Sequence, residues 1–320
     1  ISHKFPFEIY LTRHINAIST LDLKLRVMLV MFIKNFLNLM KKLFLIFNLF
    51  VSVSFPQKFF FSESIGNFDN ASSFYISSNG FIYITDKGND EVAQLDTLGN
   101  HLKDVGGFGW NQSQFDGPVD VFADPLSVYV TDKNNHRIQR FDRKLNFISQ
   151  LYTRENENSD ERFGYPNGCV VSNQGDLYVL DSENKRVIKF DLFGNYKLHF
   201  GGIDAGEFSL QSPNAISISS NGIVFVADDK ILFAFDQYGN GLMKIRFDEE
   251  INSIEIIFDK MILTTKDKIF FANTNEEKIE FQKLGLQNET HQKIVSALLF
   301  NEKIYVLTPK NILVFSTVVE

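Results

Sequence analysis

The sequence predicts an all-β protein, a six-bladed β-propeller whose blades are four-stranded antiparallel sheets. Apolar residues recur at the two-residue period of half-buried strands, with Gly, Asn and Asp between the runs. A phrase of two Asp-terminated strands repeats, and its first aspartates are 46, 49 and 47 residues apart. A fixed period of this size is typical of repeat architectures. One further strand precedes the first repeat, and it can complete the last.

The repeated phrase is clearest in four copies. Each copy has an aromatic-led strand ending in Asp, a polar turn, and a second strand ending in an apolar residue and Asp. The copies are Tyr83–Asp86 with Leu95–Asp96, Tyr129–Asp132 with Phe141–Asp142, Tyr178–Asp181 with Phe190–Asp191, and Phe225–Asp228 with Phe235–Asp236. We interpret these aspartates as turn-formers that accept hydrogen bonds from their own turns. Calcium binding is not favoured, because each turn offers too few oxygens at EF-hand spacing.

The second unit shows the order of strands within one repeat. Its predicted strands are Pro118–Ala123, Ser127–Thr131, Arg137–Phe141 and Leu145–Leu151. Short polar turns separate them, and tight Asn-Gly turns such as Asn79-Gly80 join first to second strands in other units. Glycine suits such a hairpin because it accepts a positive φ. Four antiparallel strands in about 45 residues form one propeller blade.

The repeat period continues after Asp236, but the residues at equivalent positions match the motif less well. The fifth unit is expected at 254–258, 261–265, 268–271 and 278–282, and the sixth at 294–300, 303–308 and 311–315. The sixth unit therefore lacks a fourth strand, whereas a spare strand at about 58–64 precedes the first unit. Pairing this N-terminal strand with the last blade closes the ring and removes two exposed sheet edges.

The second and third units carry the most distinctive sequence motifs. They read Phe115-Asp-Gly-Pro118 followed by Asn134–Asp142, and Phe163-Gly-Tyr-Pro166 followed by Asn184–Asp191. These motifs resemble NHL repeats of the six-bladed, TolB-like β-propeller superfamily. The resemblance covers residues 65–249 and is weak over 250–320. It involves scaffold positions, so it implies the fold more firmly than any function.

The propeller is expected to occupy residues 58–320. Residues 40–57 are typical of a signal peptide, because Lys41 and Lys42 precede a short apolar run with small residues before a cut after Ser54. This predicts a periplasmic or secreted protein.

The competing interpretation of this region is an uncleaved membrane anchor over residues 27–55, the one arrangement in which a membrane is a partner. Residues 1–39 show no repeat. We expect them to be a non-native or disordered leader before a start at Met40.

Charge and cysteine content narrow the class of partner. The chain has a net charge of −7, and the repeats are more acidic still because Lys and Arg dominate residues 1–57. An acidic body argues against nucleic acid, which requires a basic face. Some NHL-type domains bind RNA, so the one route to it here is a local patch of Lys133, Arg137, Arg154 and Arg162. The single cysteine, Cys169, lies in an apolar run and is expected to be buried.

Three long polar connections join the blades, at 109–117, 153–165 and 203–212. They are expected on one face around the central channel, together with the turns between second and third strands, and loops on a rigid scaffold commonly bind ligands. We call this the loop-rich face. The candidate ligand-binding residues are Trp110, Asn111, Asp120, Arg154, Arg162, Tyr165, Asn167 and Asn214.

We favour an exported, monomeric, non-catalytic module that binds a protein, peptide or glycan on the loop-rich face, without a cofactor. No catalytic residue is assigned. The resemblance also implies an alternative, since related propellers include metal-dependent lactonases. In that case Asp120, Asn167 and Asn214 would hold a hard cation at the channel mouth. The histidines His101, His136 and His199 are not expected to converge on a metal.

Overall fold

The computed structural model describes residues 31–34, 36, 58–287 and 292–317. Residues 31–34 are helical and belong to a separate compact unit, Ile1–Pro56, whereas the second unit is Gln57–Glu320. Within the described ranges, no helix has the length and apolar character needed to cross a bilayer. The predicted signal peptide, residues 40–57, lies outside the described residues, as does nearly all of the predicted leader.

The second unit is built almost entirely of short strands. In the first half they are β1 (Lys58–Ile65), β2 (Ala71–Ile76), β3 (Phe81–Asp86), β4 (Glu91–Asp96), β5 (His101–Gly106), β6 (Pro118–Ala123), β7 (Ser127–Asp132), β8 (Arg137–Asp142), β9 (Phe147–Tyr152), β10 (Pro166–Val171), β11 (Leu177–Asp181), β12 (Arg186–Phe190) and β13 (Tyr196–Phe200). In the second half they are β14 (Pro213–Ile218), β15 (Val224–Asp228), β16 (Ile231–Phe235), β17 (Gly241–Arg246), β18 (Ser253–Ile257), β19 (Lys260–Thr264), β20 (Ile269–Asn273), β21 (Gln282–Lys283), β22 (Gly285–Gln287), β23 (Ser296–Phe300), β24 (Lys303–Leu307) and β25 (Ile312–Thr317). Short 3₁₀ turns cover Ser159–Glu161 and Gly206–Phe208.

These strands form six blades in a ring, which confirms the predicted propeller. Five blades are four-stranded antiparallel sheets in sequence order, namely β2–β5, β6–β9, β10–β13, β14–β17 and β18–β21. The inner strands β2, β6, β10, β14, β18 and β23 contact one another in turn, and β23 returns to β2. Each blade buries its apolar faces against its two neighbours, which is why one repeat cannot fold alone.

The sixth blade combines the two ends of the repeat region, as predicted. Strand β1 pairs antiparallel with β25, from Phe59 opposite Thr317 to Ile65 opposite Ile312. Strand β22 adds a short parallel edge to β1, which the sequence did not predict. The outer edge of this blade is therefore covered by a segment that leaves the fifth blade.

The fourth strand of the fifth blade differs from the prediction. It was expected at 278–282, but pairing with β20 covers Gln282 and Lys283 alone. Lys278 is instead exposed and pairs with Glu280 at 2.7 Å. The exposed, charged side chains of Lys278 and Glu280 do not favour strand pairing here, so the strand begins only at Gln282.

The aromatic residues that open the repeated phrase form blade cores. Tyr83, Tyr129, Tyr178 and Phe225 are all buried. Cys169 is buried as expected, and burial raises the pKa of its thiol. The repeated aromatics therefore serve packing between blades, and function must be sought at the two ends of the channel and on the connections.

Candidate functional site

Each of the first four inner strands carries a β-bulge one residue after its start. In the second blade Pro118 pairs with Asp132 and Asp120 with Thr131, so Val119 is the bulged residue. The same register makes Ser72, Asn167 and Asn214 the bulged residues of blades one, three and four. Asp120 is thus one position beyond the repeat equivalent of Asn167 and Asn214.

The bulged side chains link neighbouring blades at the start of the channel. Ser72 Oγ donates to the carbonyl of Pro118 at 2.7 Å. Asn167 Nδ2 donates to Pro213 O at 2.8 Å, and Asn214 Nδ2 donates to Ile251 O at 2.5 Å. These amide nitrogens therefore hold the ring together, and only their oxygens remain for other partners.

Asp120, Asn167 and Asn214 do line one cavity, together with Glu255, which the sequence analysis missed. The cavity holds about 60 Å³ at the loop-rich end of the channel. Its two carboxylates come from different blades. Glu255 interrupts the apolar run at 254–258, and that break was the available signal for a residue facing the channel.

The two channel carboxyl groups are both shifted toward their neutral forms. Burial raises the pKa of Asp120 to about 6, although its oxygens accept from Ser73 Oγ at 2.9 Å and from the Cys169 amide at 3.1 Å. Burial and the nearby Asp120 raise the pKa of Glu255, which accepts from Ser296 Oγ at 3.1 Å. This end of the channel is therefore a buried cluster of hydrogen-bonded carboxyl groups.

A hard cation does not fit the predicted trio as it is placed. Lys133 Nζ donates to Asn167 Oδ1 at 2.7 Å, so an ammonium occupies one proposed ligand. Both Asp120 oxygens already accept hydrogen bonds. Across the described part of the chain, no group of three or more His, Cys, Asp or Glu is placed to hold a metal. One proposed ligand is free, because the buried Asn214 Oδ1 has no hydrogen-bond partner among the described residues.

On the loop-rich face, Arg137 fixes the first long connection. Its guanidinium is 1% exposed and pairs with Asp132. It also donates to the carbonyls of Trp110, Asn111 and Gln114 at 2.8 to 3.0 Å. Arg137 is therefore unavailable to the basic patch considered for RNA. Its role could have been read from the spacing of Asp132 and Arg137, which recurs as Asp181 and Arg186.

Arg186 fixes the second connection in the same way as Arg137 fixes the first. Arg186 pairs with Asp181 at 3.2 Å and donates to the carbonyl of Arg162 at 2.9 Å. Arg162 in turn donates to the carbonyls of Asn156 and Glu157 at 2.6 and 3.0 Å. Arg162 thus stabilises its own loop, and its charge is directed along the backbone.

Tyr165 and Arg154 lie at the surface beside the turn between β7 and β8. The Tyr165 amide donates to His136 Nδ1 at 3.0 Å, and the two rings meet edge-to-face with centroids 4.2 Å apart. Tyr165 has a φ of +45°, where blade two has Gly117 at +68°. Arg154 pairs with Glu183. His136 therefore contacts Tyr165, whereas His101 lies on β5 and His199 on β13.

The third connection is held by a carboxylate. Asp228 accepts from the Gln211 amide at 2.7 Å and from the Ser212 amide. Asp86 and Asp132 do the same for the segments before their own blades. The repeated aspartates are therefore more than formers of their own turns, because they fasten each blade to the connection that enters it.

These fixed connections expose large apolar side chains. Exposed fractions are 73% for Phe108, 54% for Trp110, 44% for Tyr165 and 90% for Ile203. Asn111 is exposed beside Trp110. The rings of Trp110 and Tyr152 also meet edge-to-face, with their centroids 5.9 Å apart. The loop-rich face thus presents three neighbouring connections, each with an exposed apolar residue on an anchored backbone.

The channel is much wider at the opposite face, which the sequence analysis did not identify. There a cavity of about 650 Å³ opens among the hairpins between first and second strands. Tyr75 lies across the channel between the two ends, and its hydroxyl donates to Ile256 O at 3.3 Å on the fifth blade. We call this wide cavity the vestibule.

The comparisons with known proteins agree with this architecture. The NHL repeat family matches residues 163–190, which span most of the third blade. With the six-bladed ring, this match defines the class: the chain is a six-bladed β-propeller whose third blade matches the NHL repeat.

Two curated relatives cover about half of the chain each. Protein brain tumor of Drosophila melanogaster is 33% identical over 149 residues, which are 45% of this chain and 14% of that protein. A probable peptidyl-α-hydroxyglycine α-amidating lyase of Caenorhabditis elegans is 28% identical over 179 residues, 52% of this chain and 47% of the lyase. The chain therefore matches less than half of either relative's length.

Among solved structures, a gluconolactonase from Xanthomonas campestris is similar with a TM-score of 0.59. The likeness covers 79% of this chain and 88% of the lactonase at 8% identity. At this identity it shows the fold alone.

Proposed function

We propose that this NHL-type propeller is a non-catalytic binding module that captures an apolar segment of a protein or peptide on its loop-rich face. The observation that carries the proposal is the exposure of Trp110, Tyr165 and Ile203 on three anchored connections, with Phe108 exposed directly before the first of them. Exposed apolar clusters on a soluble surface are typical of interaction sites, and aromatic residues dominate binding energy.

Anchoring supports the proposal because it lowers the entropic cost of binding. Arg137, Arg186 and Asp228 fix the three connections through backbone hydrogen bonds. A partner therefore meets a surface that is ordered before contact, and little further freedom is lost on association. Asn111 and Arg154 lie on the same connections as Trp110 and Tyr165 and would supply polar contacts at the edge of this surface.

The test is selection of peptides from a displayed random library on the immobilised protein, followed by calorimetry with the best peptide. Trp110→Ala and Tyr165→Ala should each weaken binding by about tenfold or more, the effect of removing an aromatic anchor. Leu98→Ala is the matched control, because Leu98 is a 77% exposed apolar residue on a turn of the other face. Failure to select any peptide, or equal loss with Leu98→Ala, contradicts the proposal.

An enzymatic alternative is favoured by one observation, the pairing of Asp120 with Glu255 in a single cavity. Two neighbouring carboxyl groups whose pKa values are both raised could divide acid and base roles. The cavity of about 60 Å³, however, has room for a few water molecules, whereas small-molecule pockets hold roughly 300 Å³ or more. Turnover of sugar lactones that disappears in Asp120→Ala would favour this alternative over the binding module.

Export remains part of the proposal. It is supported by the residue pattern of 40–57, in which two lysines precede a short apolar run. In this proposal residues 1–39 are the leader and residues 58–320 are the propeller. Expression from Met40 with N-terminal sequencing of the exported product tests it. Cleavage after Ser54 is expected, and an uncleaved membrane-bound product would instead support the anchor over residues 27–55.

A further inference from the structure

We propose that the vestibule is a second binding site, for a small amphipathic molecule with an apolar body and one anionic group. Its volume of about 650 Å³ lies within the range of roughly 300–1,000 Å³ that holds small organic ligands. It opens on the face opposite the long connections, so it is independent of the peptide surface proposed above.

The floor of the vestibule is aromatic. The Tyr75 ring packs 5.0 Å from that of Phe122, and the Tyr75 hydroxyl is bonded to Ile256 O across the channel. Because that hydroxyl is occupied, Tyr75 presents mainly its ring to the cavity. A ligand that enters the vestibule therefore meets the rings of Tyr75 and Phe122 at its floor.

The rim of the vestibule is also apolar. Leu126, Leu192 and Phe258 are exposed there, on hairpins and turns of three different blades. Apolar side chains that surround an opening on several sides favour a ligand body that is itself apolar. Their separation around the ring matches a compact molecule held from several directions.

One cation faces this apolar space. Arg140 is the single Lys, Arg or His among the described residues that line the vestibule. Its Nε and Nη2 atoms donate to Ser127 Oγ at 3.0 and 2.9 Å, and its guanidinium lies 5.5 Å from the Tyr129 ring centroid. The ion pairs of the described residues include none at Arg140. Its charge and Nη1 edge remain for an anion, which guanidinium binds well.

The two carboxylates that share the vestibule are already engaged. Asp124 accepts from the Leu126 and Ser127 amides at 2.6 and 2.7 Å. Asp259 accepts from the Ser220 amide at 2.8 Å and from Asn275 Nδ2 at 3.0 Å. Both carboxylates therefore stabilise hairpins, and neither pairs with Arg140. The lining is thus mainly apolar, with one guanidinium and with two carboxylates that are already bonded to neutral donors.

The experiment uses two fluorescent probes on the full chain, 8-anilinonaphthalene-1-sulfonate and its uncharged analogue N-phenyl-1-naphthylamine. The sulfonate should saturate one site per chain and bind about tenfold more tightly than the uncharged probe, the contribution of one charged hydrogen-bonded contact. Equal affinity for the two probes, or no saturable binding of the sulfonate, overturns the proposal.

Variants locate the site. Arg140→Gln keeps a donor toward Ser127 and should weaken the sulfonate about tenfold while changing the uncharged probe by less than about twofold. Ser78→Trp places an indole at the mouth from an exposed lining position and should weaken both probes. Arg143→Gln removes the same charge three residues away and should change neither. Thermal unfolding checks that each variant is folded, and sulfonate binding unaffected by Arg140→Gln and Ser78→Trp contradicts the assignment.

Discussion

Asp132 and Arg137 form a 2.8 Å ion pair whose side chains are 0% and 1% exposed. The remaining guanidinium donors reach Gln150 Oε1 and the carbonyls of Trp110, Asn111 and Gln114. The charge is therefore buried with all its donors bonded, which is the condition under which a buried pair is tolerated. The pair joins strands β7, β8 and β9 to the connection that carries Trp110.

Arg137→Met should destabilise the protein strongly. It leaves the Asp132 carboxylate buried without its partner and frees three loop carbonyls, so the free energy of unfolding should fall by about 3–5 kcal/mol. Urea unfolding measures this. Arg143→Met, at an exposed turn of the same blade, should change it by less than about 0.5 kcal/mol. Similar values for the two variants would mean that Arg137 is not the anchor.

Asp120 should make stability depend on pH. Its pKa is raised to about 6 in the folded protein, against about 3.9 when unfolded. The stabilisation by the neutral form is complete below about pH 4 and is lost as pH rises through about 6, a change of roughly 3 kcal/mol.

Asp120→Asn should reduce this slope in urea unfolding between about pH 4 and 7, because an amide does not titrate. The neighbouring Glu255, whose pKa burial also raises, accounts for the slope that remains. Asp191→Asn is the control of opposite sign. Hydrogen bonds from Asn195 lower the pKa of Asp191 to about 2, so its contribution is lost only in stronger acid. A slope that Asp120→Asn leaves unchanged would assign the effect to another group.

Strand β1 should contribute through one of its aromatic residues. Phe59 is 2% exposed, whereas Phe60 is 36% exposed on the other face of the strand. Phe59→Ala should lower the free energy of unfolding by about 3–5 kcal/mol, the cost of a large cavity. Phe60→Ala should cost less than about 1 kcal/mol by the same measurement. Equal costs would show that β1 does not bury Phe59 against the last blade.

Tyr165 should trade stability against binding. A positive φ costs an ordinary residue about 1–2 kcal/mol, so Tyr165→Gly should raise the free energy of unfolding, or leave it unchanged after loss of the His136 contact. Tyr165→Ala keeps the backbone strain and removes the ring, so it should be less stable than Tyr165→Gly. Both variants should lose peptide binding. Full binding by either would remove Tyr165 from the proposed surface.

The blades could be predicted because the strands and turns of each repeat follow from local residue patterns. In the second unit these patterns run from Tyr129–Asp132 to Phe141–Asp142. The ring closure by β1 followed from counting strands. Strand β22 and the short β21 could not be predicted, because their pairing depends on neighbours far along the chain.

For the candidate site, the sequence brought Asp120, Asn167 and Asn214 to one cavity but missed Glu255, whose position depends on the less regular fifth repeat. It also assigned Arg137 to the surface. Burial of that charge is decided by carbonyls of a connection more than twenty residues earlier, and the recurring Asp–Arg spacing was its one local signal. The vestibule was missed because its walls are the ends of ordinary core strands.

Ring closure has a consequence for folding kinetics. Five blades are made of consecutive segments, so their contacts are local and can form quickly. The joint between blades six and one is different: Lys310 donates to Asp69 across 241 positions of sequence. Bringing such distant segments together sacrifices chain entropy before the closing contacts form, which slows folding. We therefore expect the β1–β25 seam to close last, and mutations there to accelerate opening of the ring more than they slow formation of the blades.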